Sequence, residues 1–325
     1  MLFLKSLRYR FALPVFPAIL ALGLVLSACQ SAAPAGPAPI KLALLPIIDT
    51  LPVLVAQQEG LFEANNLDVE VISVASAAER DQVITSGQAD GMINEALSTM
   101  FYNKDNSQVQ IVRFARVASA DSPLFSILAS AASGINAVEG LKGVEVGISE
   151  GTIIEYLLDR LLEKEGFAAD EIQHIAVPKI PDRMNLLGTG QIDAAMLPEP
   201  AATAALGQGA VKVLDDSTHP ELSLSTWAFR NEFIEQNPEA LRSFLKALEE
   251  AVAMINEDPS KYSQLLVDQK ILAPALASTF QVPAFITAGV PSETHWDDVL
   301  AWAKANGLLA NDVTYSDSVT GEYLP

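Results

Sequence analysis

The chain states one pattern twice. "RDQVITSGQADGMI" begins at Arg80 and "RMNLLGTGQIDAAM" at Arg183; they align without a gap, Gly87 on Gly190, Gln88 on Gln191 and Asp90 on Asp193. Each reads as an amphipathic helix, a glycine stop and a short apolar strand. Upstream, "KLALLPIIDTLP" and "VEVGISEGTIIE" both read as strand, polar turn and helix, and those helices run out at "EGLF" and "EGF". Further strands follow in "LDVEVISV" and "IQHIAV". One unit of strand, helix, strand, helix and strand therefore occurs in two copies. Helices alternating with apolar strands predict mainly parallel sheets with right-handed crossovers, here as two similar α/β lobes.

Between the copies, "VQIVRFARVASADSPLFSILAS" reads as a strand, a polar turn and a second strand that carries the chain into the second lobe. The return is expected in "LSLSTWAFR", a strand of alternating polarity. Lobe I is thus expected over 39–122 plus 229–325, and lobe II over 123–228. Two crossings make a hinge, and hinges of this kind let lobes close on something between them. Beyond the return the chain reads as mostly helical, with Asn237-Pro238 and Asp258-Pro259 as helix starts.

The first 28 residues carry Lys5, Arg8 and Arg10, then an apolar run from Phe11 to Leu26, then "LSAC" ending at Cys29. That is the anatomy of a secretory signal peptide, and Pro14 and Pro17 suit a cleaved segment better than a permanent span. "Leu-Ser-Ala-Cys" resembles the lipobox of bacterial lipoproteins, which implies lipidation of Cys29, the only cysteine. Neither a disulfide framework nor a thiolate metal site can be built. Residues 29–38, rich in Pro and Ala, read as a tether of roughly 30 Å at polyproline spacing. Loss of 1–28 moves the net charge from −20 to −23. A body this acidic excludes nucleic-acid binding through phosphates, and leaves membrane attachment to the lipid.

In open parallel sheets the ligand crevice lies at the carboxyl ends of the strands, where helices begin and present unpaired N–H groups. Asp49-Thr50 holds that place in the first copy and Gly151-Thr152, after Glu150, in the second. Strand ends also place Asn94-Glu95 and Glu199 there, and the crossing adds Ser119, Asp121 and Ser122. Trp227, on the return strand, could stack on a planar ligand or simply pack the hinge. Thr50, Ser76 and Thr152 could equally cap their own helices; each cap is worth roughly 1 kcal/mol. Carboxylates outnumber bases around these turns, which points to a ligand with N–H donors or positive charge, such as an amino-heterocycle. His174, His219 and His295 are scattered and read as structural. No phosphate loop or nucleophile elbow appears, so no catalytic residue, cofactor or metal is expected.

The order of lipobox, Ala/Pro linker, "AQQEGLFEANNLDVEV", "SGQADGMINEA", "LKGVEVGISEGT" and "GQIDAAMLPEP" resembles substrate-binding lipoproteins of ABC importers. The nearest branch is the nitrate/sulfonate/taurine type, which includes thiamin-pyrimidine binders. The likeness covers about residues 39 to 320. It implies a type II periplasmic-binding-protein fold, two lobes joined by two crossing strands, with contacts from the loops holding Asp49-Thr50, Asn94-Glu95, Gly151-Thr152 and Glu199. It also implies a monomer that delivers a small molecule, such as an amino-heterocycle or vitamin precursor, to an ABC permease and ATPase. The protein would sit outside the cytoplasm, lipid-anchored to the cell membrane. The sequence shows no basic clamp for nitrate or sulfonate, and no aromatic in the Asp49 loop. Some relatives make the thiamin pyrimidine with a cysteine-rich segment that this chain lacks. The alternatives are an extracytoplasmic enzyme using a carboxylate such as Glu95, or a sensory module presenting its ligand to a partner.

Overall fold

Among the described residues ten strands divide between two five-stranded sheets, and each sheet is assembled in the same way. The computed structural model describes residues 36–325. The expected signal peptide, Cys29 and most of the tether lie outside the described residues.

The first sheet is built from β1 (Ala38–Leu44), β2 (Leu67–Ser73), β3 (Gly91–Asn94), β4 (Val109–Val117) and β10 (Leu224–Arg230). The second takes β5 (Phe125–Ala129), β6 (Glu145–Ile148), β7 (Gln173–Ala176), β8 (Ala194–Pro198) and β9 (Val211–Asp215). Their orders are β2-β1-β3-β10-β4 and β7-β6-β8-β5-β9. In each, three parallel strands come from the repeated unit. The fourth strand runs antiparallel to both neighbours. It is the strand that has just arrived from the other lobe. The sheets are therefore mixed rather than mainly parallel, because each crossing delivers a strand running back against the repeat.

β10 belongs to the first sheet from Leu224 onward. The expected limit of lobe II at 228 falls inside that strand, and the return crossing lies earlier, over 216–223. The two crossings are tied together: the buried Asp216 carboxylate accepts the backbone N–H groups of Leu124 at 2.9 Å and Phe125 at 3.0 Å. Ala38, counted with the tether in the sequence, already pairs with Leu67 in the first sheet.

The helices of the first copy are α1 (Leu51–Gln58), α2 (Leu61–Ala64), α3 (Ala77–Thr85) and α4 (Ala96–Asn103). Those of the second are α5 (Ile153–Lys164), α6 (Ile180–Gly188) and α7 (Ala201–Gly207). The C-terminal region adds α8 (Asn231–Gln236), α9 (Pro238–Glu257), α10 (Ser263–Asp268), α11 (Glu293–Ala305) and α12 (Tyr315–Ser318). The shared "GQ" stops work as the sequence implies. Gly87 and Gly190 end α3 and α6 at φ +71° and +68°, a left-handed conformation that side chains resist. Asp90 then accepts the Lys41 N–H at 2.9 Å, fixing the loop to β1.

Burial follows the layers. α1 and α9 cover one face of the first sheet in a cluster that holds Ile40, Leu42, Val53, Phe244 and Leu248. A second cluster runs without a break from Met92 and Met100 of the first lobe to Tyr156, Leu157 and Ile148 of the second, with Trp296 and Trp302 of α11 between them. Polar links cross the same seam: Tyr156 donates to Asp298 at 2.6 Å, and Trp302 Nε1 to Asp159 at 2.9 Å. Among the described residues no helix is long and apolar enough to cross a membrane.

Candidate ligand-binding cleft

Both lobes turn the carboxyl ends of their parallel strands toward one cavity of about 70 Å³. On the same measure a single water needs roughly 10–15 Å³, so the space suits a small solute. From the first lobe come Leu45, Ile47 and Asp49 after β1, Ser76 and Arg80 at α3, and Ile93, Asn94 and Glu95 after β3. The second supplies Ser149, Thr152 and Ile153 after β6, Pro178, Ile180 and Arg183 after β7, and Phe125 and Pro198. The walls are mostly apolar, and the polar groups converge from the turns. A backbone bond from Ile48 N–H to the Glu199 carbonyl, 3.3 Å, bridges the lobes nearby.

The sequence-predicted residues divide. Asp49, Asn94, Glu95 and Thr152 line this cavity. Ser119, Asp121 and Glu199 line a separate recess beside the crossings, together with Arg116, Ser122 and Thr203. Arg116 stands between the two groups, holding Asp49 at 3.4 Å with one nitrogen and Ser122 at 2.8 Å with another. Thr50 reaches neither space; its hydroxyl donates to the Ile47 carbonyl at 2.8 Å. Gly151 also lines neither, although its φ of +67° and the open space around it account for a glycine there. Trp227 corrects the stacking expectation. It is fully buried on the far side of its strand, edge-on to Phe244 at 5.8 Å, and serves packing.

Several of these groups have structural duties as well. Thr152 caps α5 by accepting the Ile154 N–H at 3.2 Å, and Glu155 accepts the Gly151 N–H at 2.5 Å. Ser76 and Glu79 do the same at α3, with Glu79 reaching back to Ala75. Asn94 has its amide fixed on both sides, donating to Thr99 at 2.8 Å and accepting from Thr226 at 2.9 Å. Burial raises the pKa of Asp49 against the opposing pull of Arg116, and that of Glu95 against Arg80 and Ser98. Glu199 is raised by burial too, with Thr203 donating to it at 2.7 Å.

Sequence reasoning missed the bases. Arg80 and Arg183 are 3% and 0% exposed, and both line the cavity. Their signal was present, since the repeat aligns Arg on Arg. In the sequence they serve only to align the repeat and take no site role, whereas both long side chains reach strand-end carbonyls, Ile93 and Val177. The histidines stay out of the cavity. His174, read as structural, does find a carboxylate in space, Asp159 at 2.8 Å, and that contact raises its pKa. Among the described residues no cluster of His, Cys, Asp and Glu is arranged to hold a metal ion.

Two α/β lobes of this topology, joined by two crossings and lined at their strand ends, define the periplasmic-binding-protein fold. The chain belongs to the NMT1/THI5 like family, which it matches over residues 48–262. Among solved structures it is similar to the alkanesulfonate-binding protein SsuA from Xanthomonas axonopodis pv. citri. That likeness has a TM-score of 0.74 and 17% identity over 88% of this chain and 99% of the other. Among curated proteins it is 30% identical, over 45% of each chain, to a putative thiamine biosynthesis protein of Haemophilus influenzae. It is 23% identical, over 84% of each, to a 4-amino-5-hydroxymethyl-2-methylpyrimidine phosphate synthase of Saccharomyces cerevisiae. The matches span only 45% and 63% of the first two curated relatives' lengths.

Proposed function

We propose that this protein is an extracytoplasmic, lipid-anchored solute-binding protein, a monomer that captures a small molecule between its lobes and delivers it to an ABC permease and ATPase. The observation that carries the reading is the cavity itself, lined by both lobes at the strand ends where helices begin. The signal-like leader, the Cys29 lipobox and the Pro/Ala tether support placement outside the cytoplasm. Ligand held between lobes favours closure only by its differential affinity for the closed state, so contacts from both sides are what such a cycle requires.

The solute is a compact organic molecule, of the size of an amino-heterocycle or vitamin precursor. The Ile and Pro walls offer it an apolar slot, with polar groups from the strand-end turns of both lobes around it. A thermal-shift screen over heterocyclic amines, vitamin precursors and small acids tests this, because a bound ligand stabilises by RT ln(1 + [L]/Kd). Mass spectrometry of the recovered solute should return it unchanged. Conversion of any hit would move the protein to the synthase reading carried by the yeast relative's name. Loss of uptake on deletion of the gene is expected, and unimpaired uptake of the hit would overturn the delivery role.

A further inference from the structure

Arg183 is the one lining base whose charge the protein leaves unanswered. Among the described residues its Nε and Nη2 have no hydrogen-bond partner, and Nη1 alone reaches the Val177 carbonyl, at 3.2 Å. Burial lowers its pKa to about 10, and no acidic neighbour opposes that shift. The other charges around the cavity are matched. Asp49 faces Arg116 at 3.4 Å, and Glu95 faces Arg80 at 3.8 Å while accepting from Ser98. Arg80 is further held by Asp81 at 2.8 Å, by the Ser98 hydroxyl and by the Ile93 carbonyl.

A buried, unpaired guanidinium costs several kcal/mol in lost hydration, and proteins remove such groups unless something repays them. Arg183 sits on the wall of a cavity whose surface is mostly apolar and whose other charged side chains are already paired. Its free nitrogens form a planar fork suited to two oxygens of one acid. We infer that the solute of this cleft is a small organic acid, with a carboxylate, sulfonate or phosphate-ester group held by Arg183 and an apolar body against the Ile and Pro walls. This rests on the capture reading above and narrows its ligand class. It also reverses the charge preference expected from the sequence, because the carboxylates of the cleft are already paired within the protein.

The test uses matched probes that differ only in the acid: benzoate with benzamide, propanesulfonate with propanol, phenyl phosphate with phenol. An aminopyrimidine serves as the neutral heterocycle, and inorganic sulfate as the bare anion. Melting temperature and calorimetric titration are read for the parent, for Arg183→Met and for Arg183→Lys. At least one acid should bind tenfold or more tightly than its neutral partner. That margin should vanish in Arg183→Met and survive in part in Arg183→Lys, which keeps the charge but not the fork. Without ligand, Arg183→Met should melt no lower than the parent, whereas a structural arginine would make it melt lower. Binding of sulfate alone, or of acids and neutral partners equally, overturns the organic-acid assignment. If only neutral heterocycles bind, this inference fails and the capture reading stands; if no probe binds, both fail.

Discussion

The two lobes carry an arginine at the same place and treat it in opposite ways. In the first lobe Arg80 lies among Asp81, Glu95 and Ser98; burial works against its charge, and the nearby carboxylates of Asp81 and Glu95 lead the groups that outweigh it. Carried forward in the ungapped register of the repeat, those three positions become Met184, Pro198 and Ala201. The second lobe has the cation without the counterparts of the side chains that pair with Arg80. A duplicated architecture thus separates two uses of one residue: Arg80 fastens α3 to the end of β3, while Arg183 is left to meet whatever enters the cleft.

The largest consequence is for stability. Arg80→Met strands the buried Glu95 and is expected to cost about 3 kcal/mol in chemical denaturation, the range for breaking a buried ion pair from one side. The same change at Arg183 should cost nothing. Equal losses at the two sites would break the comparison. Next in size is a transplant of the missing acid. Met184→Asp gives Arg183 the neighbour that Arg80 has in Asp81, and should weaken binding of the organic acid about tenfold, or ~1.4 kcal/mol, by calorimetry. An unchanged affinity would show that Arg183 does not set the ligand's charge. The smallest effects concern the caps that the lobes share. Ser76→Ala and Thr152→Ala should each lower stability by about 1 kcal/mol, read as matched shifts of the denaturation midpoint. A markedly larger loss at either would mean that its hydroxyl does more than cap.

Much of this was legible in the chain. Glycine stops, turn polarity and apolar runs are local signals, and they located nine strands of the repeat and crossings within a few residues of their observed ends. The start of β1 at Ala38 and the return at Leu224 were misjudged by little. What stayed hidden was direction and reach. Nothing local announces that β5 and β10 run against their neighbours, because that follows from which lobe the chain has just left. Trp227 offers no local sign of the face it takes; pairing in β10 turned it into the core of α9. The carboxylates looked unopposed because their partners are remote in sequence: Arg116 is 67 residues from Asp49. Arg183 was visible in the repeat, but only its surroundings could show that it stands alone.

The insertion of β10 between β3 and β4 sets an order of assembly. All five strands of the second sheet lie within one uninterrupted stretch, 125–215, so that sheet has all its strands as soon as the ribosome has passed it. β4 waits for a neighbour made more than a hundred residues later, and its outer side is met by Val319, close to the end of the chain. Such remote pairing is slow to form. Pulse-labelled hydrogen exchange during refolding should accordingly protect β6 and β8 before β4. A polypeptide built this way seals one sheet from contiguous chain and leaves the other open until β10, made after the second lobe, slots in between β3 and β4.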